Sequence, residues 1–136
     1  DGPSSVRFDL NMGGRERLHC TGVGKAILAQ FSDEEALALV GETGLPRFTE
    51  RTIDSPEALL AELATIRVRG FAIDDEEDAE GIFCIGAPLR DHTGQCCGAV
   101  SITGIKARFR AQGIAPLCRA VAEAASAISI RMGAVR

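Results

Sequence analysis

With 136 residues, 46% of them hydrophobic, the chain has the length of one domain and enough apolar side chains to bury a core. Its 15 basic and 19 acidic residues give a net charge of −4, which argues against a nucleic-acid surface, because phosphates require a concentrated positive face. No apolar run approaches the roughly 20 residues of a membrane-spanning helix, so we expect neither a membrane span nor a signal peptide. Five cysteines without a regular framework fit reduced thiols and indicate a cytoplasmic protein.

The first third of the chain predicts a strand followed by two helices. Apolar and polar residues alternate over residues 6–10, as in a half-buried strand, and residues 11–14 would turn the chain. A first helix is expected over residues 21–30. Ser32 and Glu35 have the spacing of a capping box, which predicts a second, short helix.

A third helix carries the strongest signals. Ser55 is a favoured N-cap residue, Pro56 suits the first helical position, and Gly70 would end the helix. Between them, apolar residues recur at intervals of three and four, as on the buried face of a helix.

Beyond Gly70 the pattern changes to that of strands, over residues 71–73, 81–87 and 96–103. A last helix follows over residues 114–132. This order predicts an α+β fold with an antiparallel sheet. We expect long helices on one face of the sheet and a small-ligand pocket on the other.

The last two strands predict a hairpin with two chemically different faces. Because side chains alternate along a strand, Ser101 and Thr103 share one face. Val100 and Ile102, which alternate with them, share the other, apolar face. A turn centred on residues 92 and 93 would pair Cys84 with Ser101 and place the thiol on the hydroxyl face. Such small groups can hydrogen-bond a ligand without carrying charge.

The stretch HCTGVGK, residues 19–25, only partly resembles a phosphate-binding loop. A P-loop would need a glycine at His19, and Ala26 stands where a serine or threonine would bind magnesium, so we reject nucleotide binding by this route. With Thr21 as N-cap, the amides of Gly22 and Val23 would lie at a positive helix end, where a carboxylate could bind. On these residues alone, a helix start with only a structural role is the favoured interpretation.

The acidic run at residues 74–78 is better explained as a solvated turn than as a metal site, because it lacks the ligand spacing of a calcium loop. Asp74 is an exception, since it ends a strand and would point toward the pocket. No cysteine and histidine spacing suggests zinc, and nothing places a histidine beside Cys84 as a base. We therefore expect no metal, no cofactor, no catalytic residue and no enzyme activity.

Taken together and in order, several segments resemble the C-terminal effector-binding domain of the IclR family of bacterial transcriptional regulators. The matching segments are Leu18–Leu28, Arg47–Ile53, Leu63–Glu77, Gly81–Pro88 and Gly98–Gly104. The resemblance implies a GAF-like fold and a small organic acid as effector, bound between the sheet and the loop that opens the first helix. The residues it implies for this site are Gly22, Val23, Asp74, Cys84, Ser101 and Thr103.

Two of these residues depart from the family pattern. Thr103 stands where serine is common, and Val23 stands where alanine is common. Both side chains are larger and would narrow the pocket. A purely structural dimerisation module with a vestigial pocket is therefore the alternative function.

The resemblance also implies a domain organisation and partners. Residues 1–17 would form an N-terminal strand and linker region, and residues 18–136 the effector-binding domain. The family's DNA-binding winged helix-turn-helix is absent from this chain, so operator DNA would be bound only through that missing N-terminal domain. The protein would assemble as a homodimer or homotetramer, with no membrane partner.

Overall fold

The structure is a computed structural model that describes the strand backbone of residues 4–9 and the whole of residues 17–135. Within these residues, strands and helices follow in the order β1 (Ser4–Asp9), α1 (Gly22–Leu28), α2 (Asp33–Gly41), α3 (Pro56–Arg69), β2 (Ala72–Asp75), β3 (Ile82–Arg90), β4 (Cys96–Ile105), α4 (Lys106–Gln112) and α5 (Ile114–Arg131). The predicted turn over residues 11–14 lies outside the described residues. The predicted α+β class is confirmed.

The strands form one antiparallel sheet in the order β1, β4, β3, β2. The predicted hairpin between β3 and β4 is present, but its predicted register is wrong by two residues, because Cys84 pairs with Thr103 and Gly86 pairs with Ser101. An irregularity next to Arg90 and a longer turn account for the shift. A shift of two residues preserves the alternation, so Cys84 still shares a face with both hydroxyls.

Helices lie on both faces of the sheet, which corrects the expectation that they cover one face only. The apolar face, which carries Phe83 and Ile85, packs against α4 and α5. The opposite face, which carries Ala72, packs against α1, and α2 and α3 complete that second core. The hydroxyl face is therefore covered by the start of α1.

The predicted start signals of the first three helices are confirmed. The Thr21 hydroxyl accepts a hydrogen bond of 2.9 Å from the amide of Gly24, and Ser32 and Glu35 form a complete capping box. The Ser55 hydroxyl caps α3. At the other end of α3, Gly70 has a φ of 88°, a left-handed conformation that glycine adopts at little cost.

Helix α4 is a short element that the sequence pattern did not predict. Its N-cap position, Ile105, makes no side-chain capping bond, and Phe109 is its only buried residue. It therefore lacks both a start signal and an apolar stripe. Among the described residues, no single helix is long and apolar enough to cross a membrane. Helices α4 and α5, which are bent by 93° relative to each other, have the required length and apolar composition only when they are taken together.

Candidate functional site

The polar face of the sheet carries two adjacent rows of side chains that run across three strands. In the first row, Asp74 on β2 lies opposite Cys84 on β3, which lies opposite Thr103 on β4. The second row contains small groups, with Gly86 opposite Ser101. Because opposite residues in an antiparallel pair lie on the same face, the rows form one continuous patch.

The start of α1 lies directly on this patch. A Cβ atom added to Gly22 would lie 2.8 Å from the Cys84 sulfur, and one added to Gly86 would lie 2.5 Å from the carbonyl carbon and oxygen of Gly22 and 2.9 Å from the amide nitrogen of Val23. Such distances leave no space for side chains at either glycine. The structure thus brings together all six residues predicted for the site, namely Gly22, Val23, Asp74, Cys84, Ser101 and Thr103. Their role in binding an effector stays a prediction.

Asp74 is a buried carboxyl group, with 3% of the residue exposed. Its Oδ1 accepts hydrogen bonds from the amides of Glu77 (2.8 Å) and Asp78 (3.3 Å), so the side chain also shapes the loop after β2. Burial raises the pKa of Asp74 to about 7, and the nearby Glu77 carboxylate adds to the shift. Near neutral pH this group can therefore either donate or accept a hydrogen bond.

Cys84 is a neutral thiol within the patch. The Thr103 hydroxyl donates a hydrogen bond to its sulfur at 3.2 Å. Burial raises the pKa of Cys84, which disfavours the thiolate that nucleophilic chemistry would require. The arrangement therefore provides hydrogen-bonding groups for recognition: a thiol, two hydroxyls and a carboxyl group that carries no full charge near neutral pH.

Lys25, which ends the HCTGVGK stretch, points into the protein and is fully buried. Its ammonium donates to both carboxylate oxygens of Glu77 at 2.8 and 3.0 Å, to Glu62 at 2.9 Å and to the carbonyl of Ile73 at 2.6 Å. These bonds join α1 to α3, to β2 and to the loop after β2. The lysine is therefore not available to a ligand and instead positions the loop after β2, the strand that carries Asp74.

Three further contacts hold the loop after β2. Arg17 pairs with Asp78. The hydroxyls of Thr49 and Thr52 each donate at 2.6 Å to the carbonyls of Glu76 and Glu77, respectively. Segments preceding α1, preceding α3 and following β2 thus converge beside the polar patch.

The interpretation of the acidic run as a solvated turn is wrong for Glu77, which is buried and neutralised by Lys25. Asp74, the exception that the sequence analysis made, is buried as well. Within the described part of the chain, no group of three or more histidine, cysteine, aspartate or glutamate residues is placed to hold a metal ion.

The ion-pair network of Lys25 was missed by the sequence analysis. Lys25 stands immediately before the buried run Ala-Ile-Leu, and Glu62 lies next to the buried Leu63 on α3. Charged residues inside apolar stripes are the signal that could have revealed it, because a charge on a buried face needs a partner. The identity of the partner, 37 or 52 residues away, was not readable from local spacing.

A four-stranded antiparallel sheet, with helices on both faces and a helix start laid against a polar patch, defines the chain as a small α+β domain of the GAF-like class. The family model described as the C-terminal part of the bacterial transcriptional regulator IclR matches residues 1–130. The chain therefore belongs to the IclR family of bacterial transcriptional regulators, as a C-terminal domain.

Curated relatives agree with this assignment. The chain is 38% identical over 128 residues to the HTH-type transcriptional regulator BhcR of Paracoccus denitrificans, covering 94% of this chain and 46% of that protein. It is 34% identical over 131 residues to the transcriptional repressor IclR of Escherichia coli, covering 96% of this chain and 48% of the repressor. The chain thus spans about half the length of the curated relatives it matches.

A solved structure agrees as well. The structure of IclR from Thermotoga maritima superposes with a TM-score of 0.78 at 37% identity, over 85% of this chain and 47% of that one. The relatives are transcriptional regulators and repressors rather than enzymes, in agreement with the expectation that this chain catalyses no reaction.

Proposed function

We propose that this chain is the effector-sensing and oligomerisation domain of a transcriptional regulator. It binds a small organic acid at the polar patch, next to the loop that opens α1. In the full-length protein this binding modulates operator binding by an N-terminal winged helix-turn-helix domain. The protein acts in the cytoplasm as a homodimer or homotetramer.

The observation that carries this proposal is the row of Asp74, Cys84 and Thr103 beneath the start of α1. Buried polar groups on a sheet are costly unless they are paired, and a cluster of them at one place supports a recognition role. The names of the relatives, which include a repressor and HTH-type regulators, support the link to transcription.

The coupling between effector and operator requires differential affinity. An effector changes operator binding only if it binds one arrangement of the domains more tightly than another. Lys25 and Asp74 supply the connection from the patch to neighbouring segments, since both hold the loop after β2.

A purely structural dimerisation module is the second candidate function. It is favoured by one observation, the close contact of Gly22 with Cys84 and Gly86, which leaves little space between α1 and the sheet. In that case the thiol and hydroxyls would satisfy one another, and no ligand would enter.

A thermal-shift screen against small carboxylic acids distinguishes the two functions, because a ligand that binds only the folded state raises the melting temperature by mass action. We expect a saturable shift for one class of acid. Ser101→Ala should abolish it, whereas Thr43→Ala, which removes an exposed hydroxyl after α2, should leave it unchanged. No shift across a broad panel, with a folded oligomer, would favour the dimerisation module.

A further inference from the structure

A cleft of about 400 Å³ lies away from the polar patch, between the ends of α3 and β3 and the second half of α5. Its volume falls within the roughly 300 to 1,000 Å³ that is typical of small-ligand pockets. Ala87, Pro88 and Arg90 line it, and they lie three, four and six residues along β3 from Cys84. At about 3.3 Å per residue, their Cα atoms are about 10 to 20 Å along the strand from that of Cys84. It is therefore a separate site.

The cleft combines an apolar interior with a positive edge. Its apolar surface is formed mainly by Ile66, Ala87, Pro88, Ala122, Ala125 and Ile130. Arg67 and Arg90 also line it, and none of the described residues that line it is acidic. A ligand that matches this surface has an apolar body and a negative charge.

The two arginines retain donors for such a ligand. Arg67 uses three of its N–H groups for Asp33 and for the carbonyls of Ala29 and Phe31, at 2.8 to 2.9 Å. Arg90 makes two bonds, to the carbonyl of Gly94 and to the side chain of Gln30. Because a guanidinium group has five N–H donors, these bonds leave two donors on Arg67 and three on Arg90.

The charge balance favours Arg90 as the anion-binding group. Asp33 pairs with Arg67 at 2.9 Å and neutralises it. Arg90, by contrast, has no acidic partner among the residues that the structure describes. A carboxylate at Arg90 would supply the missing charge and would accept charge-assisted hydrogen bonds.

We propose that this cleft is a second small-molecule site, which binds a monocarboxylic acid with an aromatic or branched aliphatic body. The carboxylate accepts hydrogen bonds from Arg90, and the body packs against Ala87, Pro88 and the alanines of α5. This site does not depend on the effector site at the polar patch, and either can exist without the other.

Benzoate titrated into the uniformly 15N-labelled 136-residue chain tests the proposal, with binding followed through the assigned backbone amides. We expect saturable shifts at Gly70 and Ser126, which line the cleft. Benzyl alcohol, which is similar in shape but uncharged, should bind at least about tenfold more weakly, as expected for loss of a charge-assisted hydrogen bond.

Two variants with matched controls locate the binding. Ala122→Leu fills the cleft and should weaken the affinity for benzoate at least about tenfold, because the added side chain occupies the space of the ligand body. Its control, Ala124→Leu, lies on the exposed face of the same helix and should leave the affinity unchanged. Arg90→Gln should weaken the affinity for benzoate to a similar degree. Its control, Arg110→Gln, removes an exposed arginine of α4 and should leave the affinity unchanged.

Three results would overturn the proposal. The first is a set of shifts confined to Gly22 and Val23, which would leave the effector site standing and remove this one. The second is the absence of any saturable shift at Gly70 and Ser126 up to tens of millimolar benzoate. The third is a concentration-dependent change at the cleft amides without benzoate, which would make the cleft a contact between copies of the chain.

Discussion

Gly22 and Gly86 lie backbone against backbone, so that a Cβ atom added to Gly86 would be 2.5 Å from the carbonyl group of Gly22. This contact sets the distance between α1 and β3, and with it the space above the polar patch. Neither glycine has a left-handed conformation, so the requirement is for close approach rather than for backbone freedom.

Gly86→Ala should therefore lower the free energy of unfolding by about 1 to 3 kcal/mol, because the added methyl group forces α1 away from the sheet. Urea denaturation measures this change. The control is Gly41→Ala at the end of α2, where an added Cβ meets nothing within 4 Å. That variant should have a free energy of unfolding higher by about 0.4 to 1 kcal/mol, because alanine reduces the conformational entropy of the unfolded chain. Equal unfolding midpoints for Gly86→Ala and the unmodified chain would contradict the packing described here.

Lys25→Met should destabilise the domain by about 3 to 5 kcal/mol, because it leaves the Glu77 carboxylate buried without its counter-ion. Guanidinium denaturation tests this, and the double variant Lys25→Met/Glu77→Gln should regain part of the loss. The control is the surface pair of Arg47 and Asp54, whose side chains are 54% and 52% exposed. Arg47→Ala should cost no more than about 1 kcal/mol. Similar losses for Lys25→Met and Arg47→Ala would show that the buried ion pair contributes no more to the free energy of unfolding than the surface pair does.

Asp74 should make the domain less stable as the pH rises from about 4 to 7. Its pKa is raised from the usual 3.8 to about 7 by burial, so the folded state holds a proton that the unfolded state releases within this window. The stabilisation is complete below pH 3.8 and is lost as the pH rises through 7. Its upper limit is about 4 kcal/mol, at about 1.4 kcal/mol per pKa unit.

Asp74→Asn, which keeps an oxygen acceptor for the amides of Glu77 and Asp78, should flatten this pH dependence. The comparison is made by urea denaturation between pH 4 and 7.5. Glu80→Gln, an exposed residue of the same loop, should retain the slope of the unmodified chain. An unchanged slope in Asp74→Asn would place the titration elsewhere.

Thr103→Ser should change the choice of effector, if the polar patch is the effector site. The substitution keeps the hydroxyl that donates to Cys84 and removes one methyl group from the patch. Acids one carbon larger should gain affinity by about tenfold, since one methylene in a pocket is worth about 1 to 3 kcal/mol. Isothermal titration calorimetry measures this gain. The control is Thr43→Ser, at an exposed position after α2, which should leave the ranking of acids unchanged. An unchanged ranking in Thr103→Ser as well would argue against the polar patch as the effector site.

Much of the fold was predictable because its signals are local. Thr21, Ser32 and Ser55 each cap a helix with a hydroxyl that accepts from the amide three residues later, so the information lies within one turn. Helix α4 was missed for the same reason, since it has no cap and begins directly after β4.

The membership of the polar patch was also predictable, although its geometry was not. Alternation placed Cys84 with Ser101 and Thr103, and it survived a register error of two residues because the period of a strand is two. The irregularity beside Arg90 decided which pairs face each other, and nothing in the turn composition predicted it.

The sequence by itself determined the α+β class, the family, the starts of the first three helices and the set of residues on the polar face, because these follow from local spacing and from the order of segments. Only the tertiary structure decided that α1 covers this face and that Lys25 is buried. It also decided that Asp74 is largely protonated below neutral pH. Each of these depends on groups distant along the chain, such as Glu62 and Glu77 around Lys25, and on their removal from water, which folding brings about.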